Sequence, residues 1–220
     1  MQRARTRLFV HGAGRRGHAA WPGLPESGGA FLAFAPDETI AAQAHALQDR
    51  PRDAIVFAHS IGAVPAALAA RDMGASALVL VEPALYDIVR GERAIERHIG
   101  IVSEARAQAD AGNLRGFWAI LRPLMFGGPV DPDSWDQEEP LAQRWAVSNL
   151  PWGHGVRTQL LEGIPTLVVT GGWNEEYEII ATRLVGAVGA THHVLPGTAH
   201  RPQDHPGFTS LIERFELSLP

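Results

Sequence analysis

Short runs of apolar residues, several of them rich in β-branched side chains, recur along this chain of 220 residues. Four of the runs are nearly continuous, which is typical of parallel strands that are covered on both faces. They are RLFV (7–10), AIVFA (54–58), ALVLVE (77–82) and TLVVTG (166–171). Two weaker runs, FLAFAP (31–36) and HHVLPG (192–197), bring the predicted number of strands to six.

Segments with helical periodicity lie between these runs. Residues 61–73 follow the second strong run and end before Gly74, a residue that often terminates helices. Residues 175–188 carry apolar side chains at helical spacing, and so does the C-terminal stretch from Phe208 to Phe215. Strands that alternate with helices predict an α/β fold, with a mainly parallel sheet of about six strands flanked by helices.

The alternation stops between residues 85 and 160, where no run resembles a buried strand. This stretch contains four of the six Trp residues and a turn-rich centre, FGGPVDPDSWD (126–136). We interpret it as a helical insertion that forms a cap over one end of the sheet, so that residues 1–84 and 161–220 form the core domain. So many Trp side chains are expected to face the sheet or a pocket rather than solvent.

Composition and charge exclude several classes of function. The net charge is −5 and the basic residues are dispersed, so no nucleic-acid partner is expected. The chain has no Cys, which excludes disulfides, thiol catalysis and thiolate metal sites. No run reaches ~18 apolar residues, and the start, MQRARTRLFVHG, lacks the apolar run of a secretory signal. We therefore expect no membrane partner and, by elimination, a cytoplasmic location.

The pattern with the most chemical content is AIVFAHSIGA (54–63), in which a predicted strand runs through Ser60 into a predicted helix. A turn this sharp requires small residues two positions before and two after the Ser, and Ala58 and Gly62 meet that requirement. The turn exposes the Ser60 hydroxyl at the carboxyl end of the strand and directs the Ile61 N–H toward it. The alternative is that Ser60 only caps the following helix.

A glycine-containing loop, His11-Gly12-Ala13-Gly14, follows the first predicted strand. Glycine allows the backbone to approach a substrate closely. A phosphate-binding loop is the alternative, but the spacing of a P-loop, G-x-x-x-x-G-K-[ST], is absent. His11 itself is expected to have a structural role.

The last predicted strand leads into LPGTAHRPQDHP (195–206). A base that serves Ser60 must lie on a loop beyond a strand end and late in the chain, and His200 meets both conditions. His205 is the nearest rival, and a surface position for His200 is the alternative.

The order HGAG, AHSIG, GTAH resembles the α/β-hydrolase superfamily over nearly the whole chain, in a minimal version with about six strands and a helical cap. The resemblance implies that Ser60 is the nucleophile and His200 the general base. It also implies that the N–H groups of Ala13 and Ile61 form the oxyanion hole, with Gly12 beside them. No cofactor and no metal are predicted.

The acid departs from the pattern of the family, in which an Asp usually follows the strand that here reads TLVVTGG. Asn174 stands at that position, where it is a good cap for the predicted helix. Glu175 and Glu176 then lie in the first helical turn, where acidic side chains interact favourably with the helix dipole. These three residues therefore have local roles in the helix, and the region after this strand does not identify the acid.

Glu82, at the carboxyl end of ALVLVE, is the predicted acid, in an arrangement that resembles haloalkane dehalogenases. A charge at that place is costly to desolvate without a partner, and His200 would supply one within ~3.2 Å. Pro83 favours an extended conformation at Glu82. The alternative is a structural Glu that accepts backbone N–H groups.

The resemblance predicts a serine hydrolase, carboxylesterase-like, that cleaves an ester, thioester or lactone bond of a small-molecule substrate. Carbon–carbon bond hydrolysis, hydroxynitrile cleavage and perhydrolysis are alternatives, because the same scaffold supports them. A non-catalytic small-molecule binding protein is a further alternative, supported by the missing Asp.

Overall fold

A computed structural model describes residues 5–220 of the chain, and its central feature is a six-stranded sheet. The strands are β1 (Arg7–Val10), β2 (Ala30–Phe31), β3 (Ile55–His59), β4 (Ala77–Val81), β5 (Thr166–Thr170) and β6 (Thr191–Val194). Their order across the sheet is β2-β1-β3-β4-β5-β6, and every neighbouring pair is parallel. The predicted α/β fold with a parallel sheet of about six strands is confirmed.

The strength of each apolar run follows the burial of its strand. Every residue of β3, β4 and β5 is buried, whereas β6 lies at the sheet edge and is largely exposed. β2 has only two residues, although the sequence predicted a strand over 31–36. The Leu32 N–H still donates to the Phe9 carbonyl of β1, but the Phe34 N–H donates to the imidazole of His11, 2.9 Å away, and no longer to a strand.

The helices are α1 (Ile40–Gln48), α2 (Ala63–Ala69), α3 (Arg93–Asp110), α4 (Leu114–Phe126), α5 (Trp135–Ala146), α6 (Glu175–Val188) and α7 (Phe208–Ser218). α6 has the predicted bounds, while α2 is shorter than the predicted 61–73 at both ends, since a 3₁₀ turn, Ser60–Gly62, precedes it and the helix ends at Ala69. α1 was not predicted. Within residues 5–220, no helix is both long and apolar enough to cross a membrane.

The strand order reverses direction between β1 and β3. From β1 the chain adds β2 on one side, and from β3 onward it adds strands on the other side. Loops that leave two such strands at their carboxyl ends diverge, and the crevice between them is where parallel α/β sheets bind ligands. The residues that follow β1 and β3 here are His11 and Ser60.

One face of the sheet packs against α7. Alternate strand residues, among them Phe9, Phe57 and Val169, form an apolar cluster with Phe208 and Ile212 of the helix. The Phe9 ring stacks on that of Phe57, with centroids 4.6 Å apart. Burial of this apolar surface fixes the sheet whose carboxyl ends carry the loops.

The chain divides into two compact units. The unit that contains the sheet extends to Val89 and resumes at Leu150, and the other unit is Arg90–Asn149. The second unit is narrower than the interval 85–160 predicted for the insertion. One reason is the Asp87 carboxylate, which accepts the N–H groups of residues 153, 154 and 156 at 2.7, 3.0 and 3.2 Å and so ties them to the unit that contains the sheet.

The second unit consists of α3, α4 and α5. Trp118 of α4 is fully buried, and its indole N–H donates to the carboxylate of Glu138 on α5. Arg122 donates to the other oxygen of the same carboxylate at 2.9 Å. Trp118, which was expected to face the sheet or a pocket, thus contributes to the core of its own unit.

Ile212→Ala should lower the free energy of unfolding by about 2–5 kcal/mol, because it leaves a cavity in the apolar cluster under the sheet. Ile212 is fully buried there. The matched control is Leu217→Ala on the same helix, which should change the free energy by less than about 0.5 kcal/mol because Leu217 is 80% exposed. Urea unfolding followed by circular dichroism measures both, and equal effects would contradict this description of the core.

Candidate active site

The carboxyl ends of the strands bring Ser60, Glu82 and His200 together. His200 Nε2 lies 3.0 Å from Ser60 Oγ, and His200 Nδ1 lies 3.3 Å from Glu82 Oε2. The second distance is slightly longer than the ~3.2 Å expected for this pair. One imidazole therefore bridges a hydroxyl and a carboxylate, with its two nitrogens used separately.

Ser60 occupies a strained turn between β3 and α2. Its φ is +54°, a left-handed conformation that is uncommon for residues other than glycine. The chain turns sharply enough that a Cβ on Gly62 would overlap the backbone carbonyl of His11. Glycine is therefore required at position 62, because the loop after β1 passes directly beside it.

The loop after β1 lies against Ser60. A Cβ on Gly12 would be 3.0 Å from the Ser60 Cβ and 2.9 Å from the ring of His59, closer than real Cβ atoms pack. Glycine at this position lets the backbone that leads to Ala13 reach the hydroxyl. Gly12 thus lies beside Ser60, while Ala13 and Ile61 are the residues that follow these two in the chain.

His11 holds this loop through both of its ring nitrogens. Its Nε2 accepts the Phe34 N–H at 2.9 Å, so the proton is on Nδ1, which donates to the Gly12 carbonyl at 2.6 Å. Because a trans peptide is planar, fixing the Gly12 carbonyl turns the Ala13 N–H to the opposite side. Burial lowers the pKa of His11, which favours this neutral form.

The carboxylate of Glu82 is completely buried and uses both oxygens. Oε1 accepts the Gly171 N–H at 2.6 Å, while Oε2 accepts the indole N–H of Trp173 at 3.0 Å and faces His200. The structure thus contains the contact expected from each of the two interpretations of Glu82. One oxygen accepts a backbone N–H, and the other lies against the imidazole.

Backbone conformations with positive φ occur at Ser60, at Glu82 and next to His200. Among the described residues, the non-glycine positions with positive φ are Asp53, Ser60, Glu82 and Ala199, the last of which immediately precedes His200. The expectation that Pro83 would keep Glu82 extended is wrong, since β4 ends at Val81 and Glu82 has a φ of +45°. Strain of this kind persists where surrounding contacts fix the chain, and it is common at functional sites.

The rival candidates have local roles. Asn174 caps α6 by accepting the Glu176 N–H at 2.8 Å, and Glu175 is exposed in the first turn. His205 Nδ1 accepts the Gly207 N–H at 3.0 Å within its own turn. Glu176 differs from the prediction of an ordinary first-turn acid, because it is buried and accepts the hydroxyl of Tyr86 at 2.6 Å.

His59 is a residue of the site that the sequence interpretation placed only as a neighbour of Ser60. Its Nε2 lies 2.8 Å from the backbone carbonyl of His200, to which it donates, and the two rings are 4.8 Å apart. Burial, followed by the nearby charge of His200, holds the pKa of His59 well below its usual value. His59 is therefore a neutral donor that ties the end of β3 to the loop of His200.

Tyr177 also contributes to the site, although the sequence pattern placed it only on the apolar face of α6. Its ring lies 5.0 Å from that of His200, with the two planes tilted by 34°. Burial, with the negative charges of Glu82 and Glu176, raises the pKa of Tyr177. Only the fold reveals this position, because Tyr177 is remote from Ser60 in sequence.

The described residues contain no group of three or more His, Cys, Asp or Glu side chains that could hold a metal ion. The chemistry available at the site, as far as its side chains define it, is that of a hydroxyl, an imidazole and a buried carboxylate.

No family model and no curated protein matches the chain. Solved structures do match it. A hydrolase from Oleispira antarctica is 15% identical with a TM-score of 0.64, over 97% of this chain and 91% of the other. An esterase from Rhodococcus sp. is 18% identical with a TM-score of 0.59, over 99% and 92%. An α/β hydrolase from a deep-sea metagenome library of the Medee basin is 14% identical with a TM-score of 0.63, over 100% and 92%. The chain therefore has the α/β-hydrolase fold.

Proposed function

We propose that this protein is a serine hydrolase that cleaves an ester, thioester or lactone bond through an acyl-enzyme. The observation that carries the proposal is the position of the His200 imidazole, with one nitrogen 3.0 Å from Ser60 Oγ and the other 3.3 Å from Glu82 Oε2. A hydroxyl next to a base that a third group orients is the arrangement of an activated nucleophile.

In the first step Ser60 Oγ attacks the substrate carbonyl carbon while its proton passes to His200 Nε2. The carbonyl electron pair moves to the oxygen, and the tetrahedral intermediate then expels the leaving group, which takes the proton from Nε2. Water repeats the sequence with the acyl-enzyme and releases the acid. His200 acts as base and then as acid in both halves of the cycle.

The oxyanion is stabilised by the backbone N–H groups of Ala13 and Ile61. Ile61 directly follows Ser60 at the start of a helical turn, where N–H groups lack intrahelical partners. His11 fixes the peptide that carries the Ala13 N–H through its bond to the Gly12 carbonyl. Donors that are held before the reaction begins stabilise the developing charge without further reorganisation.

Glu82 stabilises the positive charge that His200 acquires in each step. The Gly171 and Trp173 N–H groups already satisfy its buried carboxylate, so the carboxylate is held in place before His200 becomes charged. A Glu directly after β4 can replace an Asp after β5 because the two strands are neighbours in the sheet. The absence of the usual Asp therefore does not argue for a non-catalytic binding protein.

We propose that the unit Arg90–Asn149 is the helical cap of the enzyme. Its helical composition and its position in the chain after β4 support this role.

Among solved structures with the same fold are an esterase and a thioesterase domain, which act on the bond classes proposed here.

Ser60→Ala should lower kcat/KM on p-nitrophenyl esters of graded chain length by roughly 10⁴-fold or more, because the nucleophile is lost. The fold should persist by circular dichroism. A fluorophosphonate probe should label the wild-type protein and not the variant, since only an activated Ser reacts. Retained turnover in the purified variant, or an unlabelled wild type, would contradict the proposal.

His200→Ala should lose nearly as much activity as Ser60→Ala on the same esters, because the two residues act as a unit. His205→Ala is the matched control on the same loop and should keep most of the activity, since its imidazole only accepts the N–H of Gly207. If His205→Ala proved the more damaging change, His205 and not His200 would be the base.

Glu82→Gln should lower kcat by roughly 10²- to 10⁴-fold, because an amide of the same shape does not stabilise the imidazolium of His200. Glu175→Gln, in an exposed first-turn position, should leave kcat within about twofold of the wild type. Steady-state kinetics of the two variants compare the candidates directly. Equal activities would assign Glu82 a structural role.

A further inference from the structure

The indole of Trp173 extends from the surface to the buried carboxylate of Glu82. Trp173 is 51% exposed, whereas Glu82 is completely buried, and the indole N–H donates to Glu82 Oε2 at 3.0 Å. His200 Nδ1 lies 3.3 Å from the same oxygen. One carboxylate oxygen is therefore shared by a tryptophan and by the imidazole of the proposed base.

Two glycines allow the loop after β5 to bring the indole to this oxygen. A Cβ on Gly171 would lie 2.9 Å from Cδ1 of the Trp173 indole, closer than real Cβ atoms pack. Gly172 has a φ of +67°, a conformation that residues with a side chain rarely adopt. Together the two glycines let the backbone fold Trp173 back onto Glu82.

Neighbouring rings pack against the indole on its other sides. Its centroid lies 6.2 Å from that of Tyr177 and 6.1 Å from that of His200, which it meets edge-on with the planes at 72°. In the family the loop after this strand usually carries the acid. Here the same loop provides a hydrogen-bond donor to an acid that follows β4.

Two donors on one carboxylate oxygen compete for its negative charge. While His200 is neutral, its Nδ1–H donates to the shared oxygen and its Nε2 accepts the Ser60 hydroxyl. A second proton on the imidazole strengthens the bond from Nδ1, because a charged donor draws more strongly on a carboxylate. The indole N–H already holds part of that charge, so it opposes the uptake of the second proton.

The other titratable groups around His200 keep their charge state. His59, at the end of β3, is neutral because burial, followed by the charge of His200, holds its pKa well below the usual value. Tyr177 of α6 is neutral because burial, followed by nearby carboxylates, raises its pKa. Arg201, the next residue along the loop, is paired with Asp204 at 2.6 Å. The shared carboxylate is thus the charge that the described residues place against the imidazole.

We propose that Trp173 is a positioning residue that acts through Glu82: its indole N–H holds Oε2 beside His200 Nδ1 and limits how strongly that oxygen retains the imidazole proton. As a result His200 is available as a base at lower pH than it would be without the indole bond. This inference rests on the proposed function and concerns the pH range over which that site works. Trp173 keeps its own proton throughout.

Trp173→Phe tests the inference, because it removes the N–H and keeps an aromatic ring beside Tyr177 and His200. On p-nitrophenyl butyrate, the midpoint of the acid limb of the kcat/KM profile should move up by about 0.5–1 pH unit, while the alkaline plateau should stay within about threefold of the wild type. Val194→Ala is the matched control, since this exposed side chain lies next to Gly172 of the same loop. It should leave the midpoint unchanged.

The direction of the shift distinguishes this role from a merely structural one. If Trp173 only kept the loop in shape, its loss would weaken the contact between Glu82 and His200. The acid limb would then move down, as it should in Glu82→Gln, because the imidazolium loses its stabilising charge. A downward shift in Trp173→Phe, or no shift, would overturn the inference.

The shared oxygen can also be detected in the wild type by NMR. On acidification the charged His200 draws the oxygen toward itself, so the indole N–H resonance of Trp173 should move upfield with the same midpoint as kcat/KM. The indole of Trp118, which donates to Glu138, is the internal control. Its resonance should stay constant, because hydrogen bonds from Trp118 and Arg122 lower the pKa of Glu138 and keep it ionised. If Trp173→Phe did not fold, this titration would decide, and a constant Trp173 resonance would overturn the inference.

The outcomes separate the two proposals. A wild type that hydrolyses no p-nitrophenyl ester and is not labelled by a fluorophosphonate overturns the proposed function, and the effect of Trp173 on activity with it. A labelled, active wild type whose acid limb does not move up in Trp173→Phe overturns the role of Trp173 alone.

Discussion

The buried carboxylate of Glu82 is the group on which the arrangement of the site depends. A charge that is removed from water must be compensated by donors, and here these are the Gly171 N–H, the Trp173 indole and the His200 imidazole. Each donor comes from a loop after β5 or β6, so one carboxylate at the end of β4 holds the ends of three strands together. The compensation depends on glycine, because a Cβ at position 171 would overlap the backbone carbonyl of Ala199.

Close approach of loops is the second constraint on the site, and small residues make it possible. Gly62 admits the carbonyl of His11, and Gly12 admits Ser60 and His59. These contacts lie at the carboxyl ends of β1 and β3, where the strand order reverses and the topology predicts a crevice. In this place the backbone of the loop after β1 lies close to the Ser60 hydroxyl. The strand order thus determines where the site lies, and glycine at two positions allows its loops to pack closely.

Sequence patterns predicted those parts of the molecule that depend on local chemistry. The central strands are apolar because both faces are buried, and α6 begins at a capping Asn174 and ends before Gly189, so their positions could be predicted. α1 was missed because its amphipathic pattern is weak, although Thr39 caps it. The roles of His59 and Tyr177 could not be predicted from the sequence. Each depends on a contact with His200, which is remote from both residues in the chain.

The six strands differ in burial, and Ser60 and His200 follow strands at the two extremes. Ser60 follows a central strand whose residues are all buried, whereas His200 follows β6, the exposed edge strand. Edge elements open more readily than central ones, and amide hydrogen exchange detects such openings. Ser60 therefore follows a strand that opens rarely, and His200 follows one that opens more readily. Local opening at β6 would separate His200 from Ser60, the base and the nucleophile of the proposed mechanism, while the rest of the sheet remained folded.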